Sequence, residues 1–112
     1  RVFLLVADFD AKNDSQSEKF AERLPPNLPP QLVIETSPES FQTYYIFDKP
    51  RGFSEAKNVA KGLVKFCECD PVSQDLSHVW RLPGLPNWPN KKKIEAGRSP
   101  IPFIARVVKS AN

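Results

Sequence analysis

An apolar run at residues 2–10 ends in two acids, Asp8 and Asp10, spaced two positions apart. The run favours a buried β-strand, in which side chains alternate between faces, so both carboxylates project from one side. Their Cα atoms then lie ~7 Å apart, given a rise of about 3.3 Å per residue. Carboxylates this close repel each other, and a divalent metal ion with hard oxygen ligands offsets that repulsion. The alternative is a strand that runs into a polar turn, since Asp-x-Asp alone is weakly specific.

The length of 112 residues suits a single small domain with one core, spanning 1–112. Because the chain begins on a strand and without Met, we expect a piece of a larger catalytic domain, excised or truncated at its N-terminus. No signal peptide or membrane-spanning run is visible, which predicts no membrane partner. Cys67 and Cys69 are too close in sequence for disulfide geometry and indicate reduced thiols in the cytoplasm. A single histidine argues against a zinc site.

The net charge of +3 is unevenly distributed along the chain. Residues 1–86 carry 10 Lys/Arg against 12 Asp/Glu, whereas residues 87–112 carry 6 against 1. An acidic first part with a basic tail suits a site where a metal ion and a polyanion meet. The alternative is an ordinary solvated basic surface.

Secondary-structure signals follow the acid pair in a regular order. Ser15 and Glu18 form a capping box for a first helix, which the prolines at 25 and 26 end. Residues 31–36 and 41–47 are rich in branched and aromatic residues and predict two strands of a hairpin.

A second helix is predicted after a loop at 48–52, with Ser54 as its cap and an apolar stripe over 56–64. A closing strand is expected either within residues 66–80 or at 102–109. The fold class is therefore α+β, with an RRM-like or ferredoxin-like β-α-β-β-α-β core.

Residues 70–93 hold acids, an arginine, a Pro-Gly turn and a lysine cluster. Arg81 can fork onto phosphate oxygens, and the lysines at 91–93 add point charges. Gly84 allows close approach of the backbone to a ligand.

Three motifs in the chain together resemble those of archaeo-eukaryotic primases, in the variant found in RepB-like primase-polymerases of plasmids, phages and mobile elements. Residues 70–93 carry Val-Ser-Gln-Asp, then Arg-Leu-Pro-Gly, then Asn87 and Lys91, similar to the family's third motif. Residues 6–10 resemble the first motif, hydrophobic residues followed by Asp-x-Asp. Residues 40–42, Ser-Phe-Gln, stand where the family has a small residue, any residue and histidine. Gln42 departs from that histidine and cannot carry a proton or a positive charge.

The resemblance implies metal-dependent, template-directed nucleotidyl transfer that makes DNA primers. Asp8, Asp10 and a third acid would hold two Mg²⁺ or Mn²⁺ ions. Asp70 is the favoured third acid, and Asp75 is the other candidate. Nucleoside triphosphates and a single-stranded DNA template are the implied partners, with a replicative helicase or origin-binding domain as a further one. The implied nucleotide-binding residues are Ser40, Gln42, Arg81, Asn87 and Lys91, and the implied nucleic-acid-binding residues are Lys92, Lys93 and Arg98.

Other functions remain open at this point. The main alternative is a catalytically inactive RRM-like domain that only binds nucleic acid, although such modules need aromatics rather than acids on the sheet. A rolling-circle initiator nuclease would need paired histidines, and the chain has only His78. Trp80 and Trp88 are candidates for stacking on bases, but tryptophan in a small domain is more often part of the core. A lone histidine such as His78 is more often packed or solvent-facing than functional.

Overall fold

The computed structural model describes residues 1–10, 19–78, 80, 83–97 and 99–110. Its main element is a four-stranded antiparallel sheet, in which the strands lie side by side in the order β1 (Val2–Phe9), β3 (Ser40–Arg51), β2 (Leu32–Ser37) and β6 (Arg106–Ser110). Within this part of the chain no helix is long and apolar enough to cross a membrane. The strands and helices that build the fold are β1 (Val2–Phe9), α1 (Phe20–Arg23), β2 (Leu32–Ser37), β3 (Ser40–Arg51), α2 (Phe53–Cys67), β4 (Pro86–Asn87), α3 (Lys91–Glu95), β5 (Phe103–Ile104) and β6 (Arg106–Ser110).

The predicted β-α-β-β-α-β order is confirmed, because β3 lies between β1 and β2 as in a split β-α-β unit. The predicted closing strand at 102–109 is confirmed as β6, which pairs with β2 rather than lying beside β1 as in a ferredoxin-like core. Residues 103–104 of that stretch form β5 of a second, two-stranded sheet instead. The competing candidate within 66–80 contains instead a short 3₁₀ helix, Pro71–Gln74, for which Asp70 is the N-cap. Proline at the first helical position favours that turn over a strand.

Some boundaries differ from those expected. Strand β3 runs on to Arg51, because Val2 of β1 pairs with it, so the loop predicted at 48–52 is mostly strand. The N-cap of α2 is Gly52 rather than Ser54, and the Ala56 N–H donates to the Gly52 carbonyl at 3.0 Å. The first helix is described only from Phe20, and the predicted capping box at Ser15 and Glu18 lies outside the described residues.

Each face of the sheet carries its own buried cluster. On one face, Ala7 and Phe9 of β1 pack with the buried thiols Cys67 and Cys69, and α1 and α2 cover them. On the opposite face, Val6 packs with Ile34, Tyr44 and Ala105, with Leu32 and Trp80 at the margin. The alternation along β1 therefore assigns Asp8, like Val6, to the face without the two helices.

A small two-stranded sheet of β4 and β5 closes that second face. Gly84 donates its N–H to the Ala105 carbonyl at 2.6 Å, and Ala105 donates to the Leu85 carbonyl at 3.0 Å. Gly84 has φ +86°, a left-handed conformation that glycine adopts without the steric cost of a Cβ. The two-stranded sheet thus lies beside the end of β1, where the acids are.

Candidate active site

An open cleft of about 450 Å³ lies beside the C-terminal end of β1, on the face of the sheet opposite α1 and α2. Segments that are far apart in the sequence meet there, and most of the exposed lining is polar. The residues that line the cleft are Asp8, Asp10, Thr36, Ser37, Ser40, Gln42, His78, Trp80, Asn87 and Lys93.

The backbone around Asp8 is held on both sides. Its N–H donates to the Ser73 hydroxyl at 2.9 Å, and its carbonyl accepts from the Asp70 N–H at 2.8 Å. The neighbouring Ala7 carbonyl accepts from the Thr43 hydroxyl at 3.0 Å, in the sheet interior. These contacts fix the strand residue from which the first carboxylate projects into the cleft.

Asp8 lies in an environment that disfavours its charge. Burial and, to a smaller extent, the nearby charges of Asp70 and Asp10 together raise the pKa of Asp8 from 3.8 to about 7, while the charge of Lys93 lowers it. The carboxyl groups of Asp8, Asp10 and Asp70 are therefore close enough to interact electrostatically, which is expected of a site for a cation. Such repulsion is relieved by a proton or by a bound cation.

The two candidates for the third acid occupy different environments. Asp70 lies next to Asp8, bonded through the backbone, and its Oδ1 accepts from the Val72 N–H at 3.0 Å. Neither carboxyl group lines the cleft, and the Asp75 Oδ1 accepts from the Ser77 N–H at 3.0 Å and hydroxyl at 2.7 Å. Those hydrogen bonds lower the pKa of the exposed Asp75 carboxyl. Both acids therefore stabilise local turns, and Asp70 differs in that its backbone bonds to Asp8 and its charge acts on the Asp8 carboxyl.

A candidate metal site requires ligand groups that converge. Among the described residues, no group of three or more His, Cys, Asp or Glu side chains is arranged to hold a metal ion by itself. Asp8 and Asp10 nevertheless share the cleft and supply hard oxygen donors. Mg²⁺ commonly binds through one or two carboxylates together with substrate phosphates, and this donor set fits that mode.

The motif at residues 40–42 forms one side of the cleft. Ser40 and Gln42 are both buried, and Gln42 is the direct partner of Asp8 in the register of β1 and β3. The tight turn before them places Glu39 at φ +62°, with its N–H donating to Glu35 Oε2 at 3.2 Å. Glu35 is held in turn by Arg106 of β6 at 2.7 Å.

The other residues predicted to bind the nucleotide or nucleic acid divide into those that line the cleft and those that do not. Asn87 is buried in the cleft, where its Nδ2 donates to the Thr36 carbonyl at 2.5 Å and ties β4 to β2. Lys93, predicted to bind nucleic acid, reaches the cleft from α3. Lys91, predicted to bind the nucleotide, is exposed on the same helix with Lys92, and neither of them lines the cleft. Asn90 caps α3 by accepting from the Lys93 N–H at 2.8 Å, which fixes that helix end.

Arg81 and Arg98 lie outside the described residues, so their roles stay predictions. Thr36 and Ser37 also line the cleft and were not predicted to; they lie there because β2 and β3 meet at their turn. His78, to which no role was assigned, lines the cleft as well, and its ring packs on Trp80 with centroids 4.5 Å apart. Trp80 was a candidate for stacking on bases, and the signal for His78 was its position shortly before the Arg-Leu-Pro-Gly segment.

The sequence that forms this cleft matches a known protein family. The model of the RepB DNA-primase N-terminal domain matches residues 4–108. The chain belongs to this family. Mobilization protein A of Escherichia coli is 34% identical over 69 residues, which cover 62% of this chain and 10% of that protein. The predicted relationship to RepB-like primases is thus confirmed.

Two solved structures share the fold. The primase-polymerase domain of cyanophage S-2L, an archaeo-eukaryotic primase domain, is 17% identical with a TM-score of 0.70. The primase RepB′ is 26% identical with a TM-score of 0.66. Both alignments cover 98% of this chain, but only 53% and 34% of the respective solved chains. The α+β primase fold is therefore confirmed, and the chain corresponds to part of larger domains in these relatives.

Proposed function

We propose that this domain catalyses metal-dependent, template-directed nucleotidyl transfer and so makes oligonucleotide primers for the replication of plasmids, phages or mobile elements. The observation that carries the proposal is the cleft, in which the acids of β1 meet polar residues of β3 and Lys93 of α3. Membership of a primase-domain family supports this choice over other reactions at such a site.

Asp8 and Asp10 would hold the divalent cation, with Asp70 as the third acid and Mg²⁺ or Mn²⁺ as the ion. Support comes from the raised pKa of Asp8, because a nearby cation would stabilise a carboxylate that burial and two neighbouring negative charges destabilise. Two such ions, when bound with the nucleotide, would activate the attacking hydroxyl and stabilise the departing pyrophosphate.

The protein's own side chains would bind and orient the nucleoside triphosphate. Lys93 supplies a positive charge beside the acids, suited to a phosphate. Ser40 and Gln42 present short polar side chains from a rigid strand, which favours precise positioning over adaptable contact. Asn87 shapes the cleft through its bond to Thr36.

A single-stranded DNA template would run beside the cleft. Lys91 and Lys92 are exposed on α3 next to Lys93, where they can neutralise backbone phosphates. The His78–Trp80 pair lies at the margin of the cleft and offers aromatic faces on which bases can stack. A helicase or origin-binding domain would act with this domain during replication.

The test is incorporation of labelled nucleotide on single-stranded DNA with Mn²⁺, by the full-length protein and two variants. Asp8→Asn with Asp10→Asn should lower synthesis by about a hundredfold or more, because charge stabilisation in the transition state is lost. The matched control is Asp75→Asn, which removes an acid outside the cleft and should keep activity within about twofold.

Retention of full synthesis by the double variant would refute the assignment of these acids. If the unaltered protein makes no product but binds single-stranded DNA, the proposal is wrong and the domain is a non-catalytic nucleic-acid-binding module. Binding of Mn²⁺ can be followed separately by calorimetry, where the double variant should lose the metal-dependent heat that Asp75→Asn retains.

A further inference from the structure

Asn87 of β4 lies deep in the cleft and is tied to the main sheet. It is 5% exposed, and its Nδ2 donates to the carbonyl of Thr36 at 2.5 Å. A backbone carbonyl can only accept a hydrogen bond, so the NH₂ group of the carboxamide must be the end beside it. The flipped carboxamide would set two acceptor oxygens against each other. The Oδ1 atom of Asn87 is consequently the end that is turned away from Thr36.

This oxygen is open to the cleft. Within residues 1–10, 19–78, 80, 83–97 and 99–110, no group donates a hydrogen bond to it. The side-chain atoms of those residues that are sealed from solvent without a partner belong to Tyr45 and Arg51, so the Asn87 oxygen is not among them. Because the rest of Asn87 is buried, its oxygen reaches solvent through the cleft that the residue lines.

An acceptor oxygen limits the groups that can bind it. It repels phosphate oxygens, which are themselves acceptors, and it binds hydroxyl or N–H donors. In a nucleotide those donors are the hydroxyls of the sugar and the N–H groups of the base. A template-directed enzyme accepts all four bases, and a fixed hydrogen bond to a base edge would discriminate among them. The sugar, by contrast, is common to all four nucleotides.

The position of Asn87 relative to the acids also suits a sugar. Strand β3 lies between β1 and β2, and neighbouring strands are about 4.8 Å apart, so Thr36 of β2 lies roughly 10 Å from the line of β1. Asn87 is bonded to Thr36 and therefore lies about two strand spacings from the strand that carries Asp8. A nucleotide whose phosphates lie near the acids can extend its sugar across that distance.

We propose that Asn87 is a specificity-determining residue, whose Oδ1 accepts a hydrogen bond from a hydroxyl group of the nucleotide's sugar. This inference rests on the proposed function, since it assigns a ligand group within the same cleft. The bond to Thr36 holds the oxygen in place before the nucleotide arrives, which lowers the entropic cost of the contact.

The test measures binding of three triphosphates of one base to the full-length protein by calorimetry, in Mg²⁺ and without a template. The ribonucleotide carries the 2′- and 3′-hydroxyls, the deoxyribonucleotide carries only the 3′-hydroxyl, and the dideoxyribonucleotide carries neither. We expect removal of one of these hydroxyls to weaken binding by about two- to tenfold, the net contribution of one neutral hydrogen bond. The pair of triphosphates that shows this loss identifies the hydroxyl.

Two variants separate the contact from general damage to the cleft. Asn87→Ala removes the oxygen and also the bond to Thr36, and loss of that bond should weaken all three triphosphates alike. The two- to tenfold difference between the triphosphates should therefore vanish in Asn87→Ala. Asn90→Ala is the matched control, because it removes the same atoms from the residue that caps α3. It should keep the difference, whatever its effect on overall affinity.

Three results would overturn the inference. The first is equal affinity of the unaltered protein for all three triphosphates, or a difference that persists in Asn87→Ala. The second is loss of Mn²⁺ binding by Asn87→Ala in the absence of nucleotide, which would make the oxygen a metal ligand. The third is a preference among the four bases that disappears in Asn87→Ala, which would make the oxygen a base contact.

Failure of this inference can be told from failure of the proposed function. The first leaves a protein that synthesises primers, yet binds triphosphates without regard to their sugar hydroxyls. The second leaves a protein that makes no product, whichever triphosphate is supplied.

Discussion

Replacing Asp8 by asparagine should make the metal-free protein more stable while removing its proposed activity. Asparagine keeps the shape of the side chain, and the bonds from Ser73 and Asp70 involve only the backbone of Asp8, so they are preserved. What changes is the charge, which burial and the two neighbouring acids disfavour. The variant therefore isolates the energetic cost of charge in the cleft.

The magnitude follows from the pKa of Asp8. A rise from 3.8 to about 7 corresponds to about 4 kcal/mol as an upper value, at 1.36 kcal/mol per pH unit. Asp8 keeps partial contact with the cleft solvent, which screens some of this cost. We expect a gain of about 1–3 kcal/mol in the free energy of unfolding above the folded-state pKa.

The dependence on pH gives the sign. The folded protein binds a proton on Asp8 more tightly than the unfolded chain, so the cost of its charge is fully present above about pH 7. It shrinks as the pH falls and disappears below about 3.8, where both states are protonated. The advantage of Asp8→Asn should therefore be largest at about pH 8, smaller at about pH 5 and absent near the unfolded pKa.

Urea unfolding in EDTA at several pH values measures this advantage. Asp75→Asn is the control with the opposite expectation, because hydrogen bonds from Ser77 lower the pKa of Asp75. Its carboxylate stabilises the fold above the unfolded pKa and loses that effect as the pH falls, so the variant should be less stable near neutrality. A loss of stability in Asp8→Asn that is the same at every pH would refute the reasoning.

Three further predictions concern the surroundings of the cleft. Ser73→Ala removes the acceptor of the Asp8 N–H and should lower the free energy of unfolding by about 1–3 kcal/mol in urea titrations, unlike a substitution at an exposed serine. Tyr45→Phe should leave the free energy of unfolding unchanged or raise it by about 1 kcal/mol, because the Tyr45 hydroxyl is buried without a hydrogen-bond partner among the described residues. A decrease of about 1 kcal/mol would contradict this, because it would mean that the hydroxyl does have a hydrogen-bond partner. Cys67 and Cys69 are buried with raised pKa values, so both thiols should react with a disulfide reagent only after unfolding, and fast reaction in the native protein would contradict this.

The parts of the site that lie on regular strands could be predicted from the sequence. Period-two alternation is a local property, so Asp8 and Asp10 were correctly expected to share a side. The β2–β3 hairpin likewise followed from two branched and aromatic runs around a short turn. These predictions needed no knowledge of contacts between distant segments.

The remaining parts depend on such contacts. The preference for Asp70 over Asp75 as the proposed third acid rests on one backbone bond to Asp8 and on the charge that Asp70 places beside it, which no local pattern indicates. The position of His78 and Trp80 in the cleft depends on the path of the chain after the 3₁₀ helix. Among the three lysines of α3, only Lys93 reaches the cleft, because successive residues of a helix point about 100° apart.

Strand β1 performs two tasks, and its register keeps them apart. Ala7 and Phe9 fill the core beneath the helices, while Asp8 lies on the opposite face with the buried Val6 and lines the cleft. A slip of one residue would bury the carboxylate of Asp8 among apolar side chains and expose Phe9 to the cleft. The bonds to Ala7 and Asp8 from β3 and the 3₁₀ helix oppose that slip from both sides of the strand. The contacts that stabilise the fold are thus the same ones that hold the acids at the proposed binding site of the cation and the nucleotide.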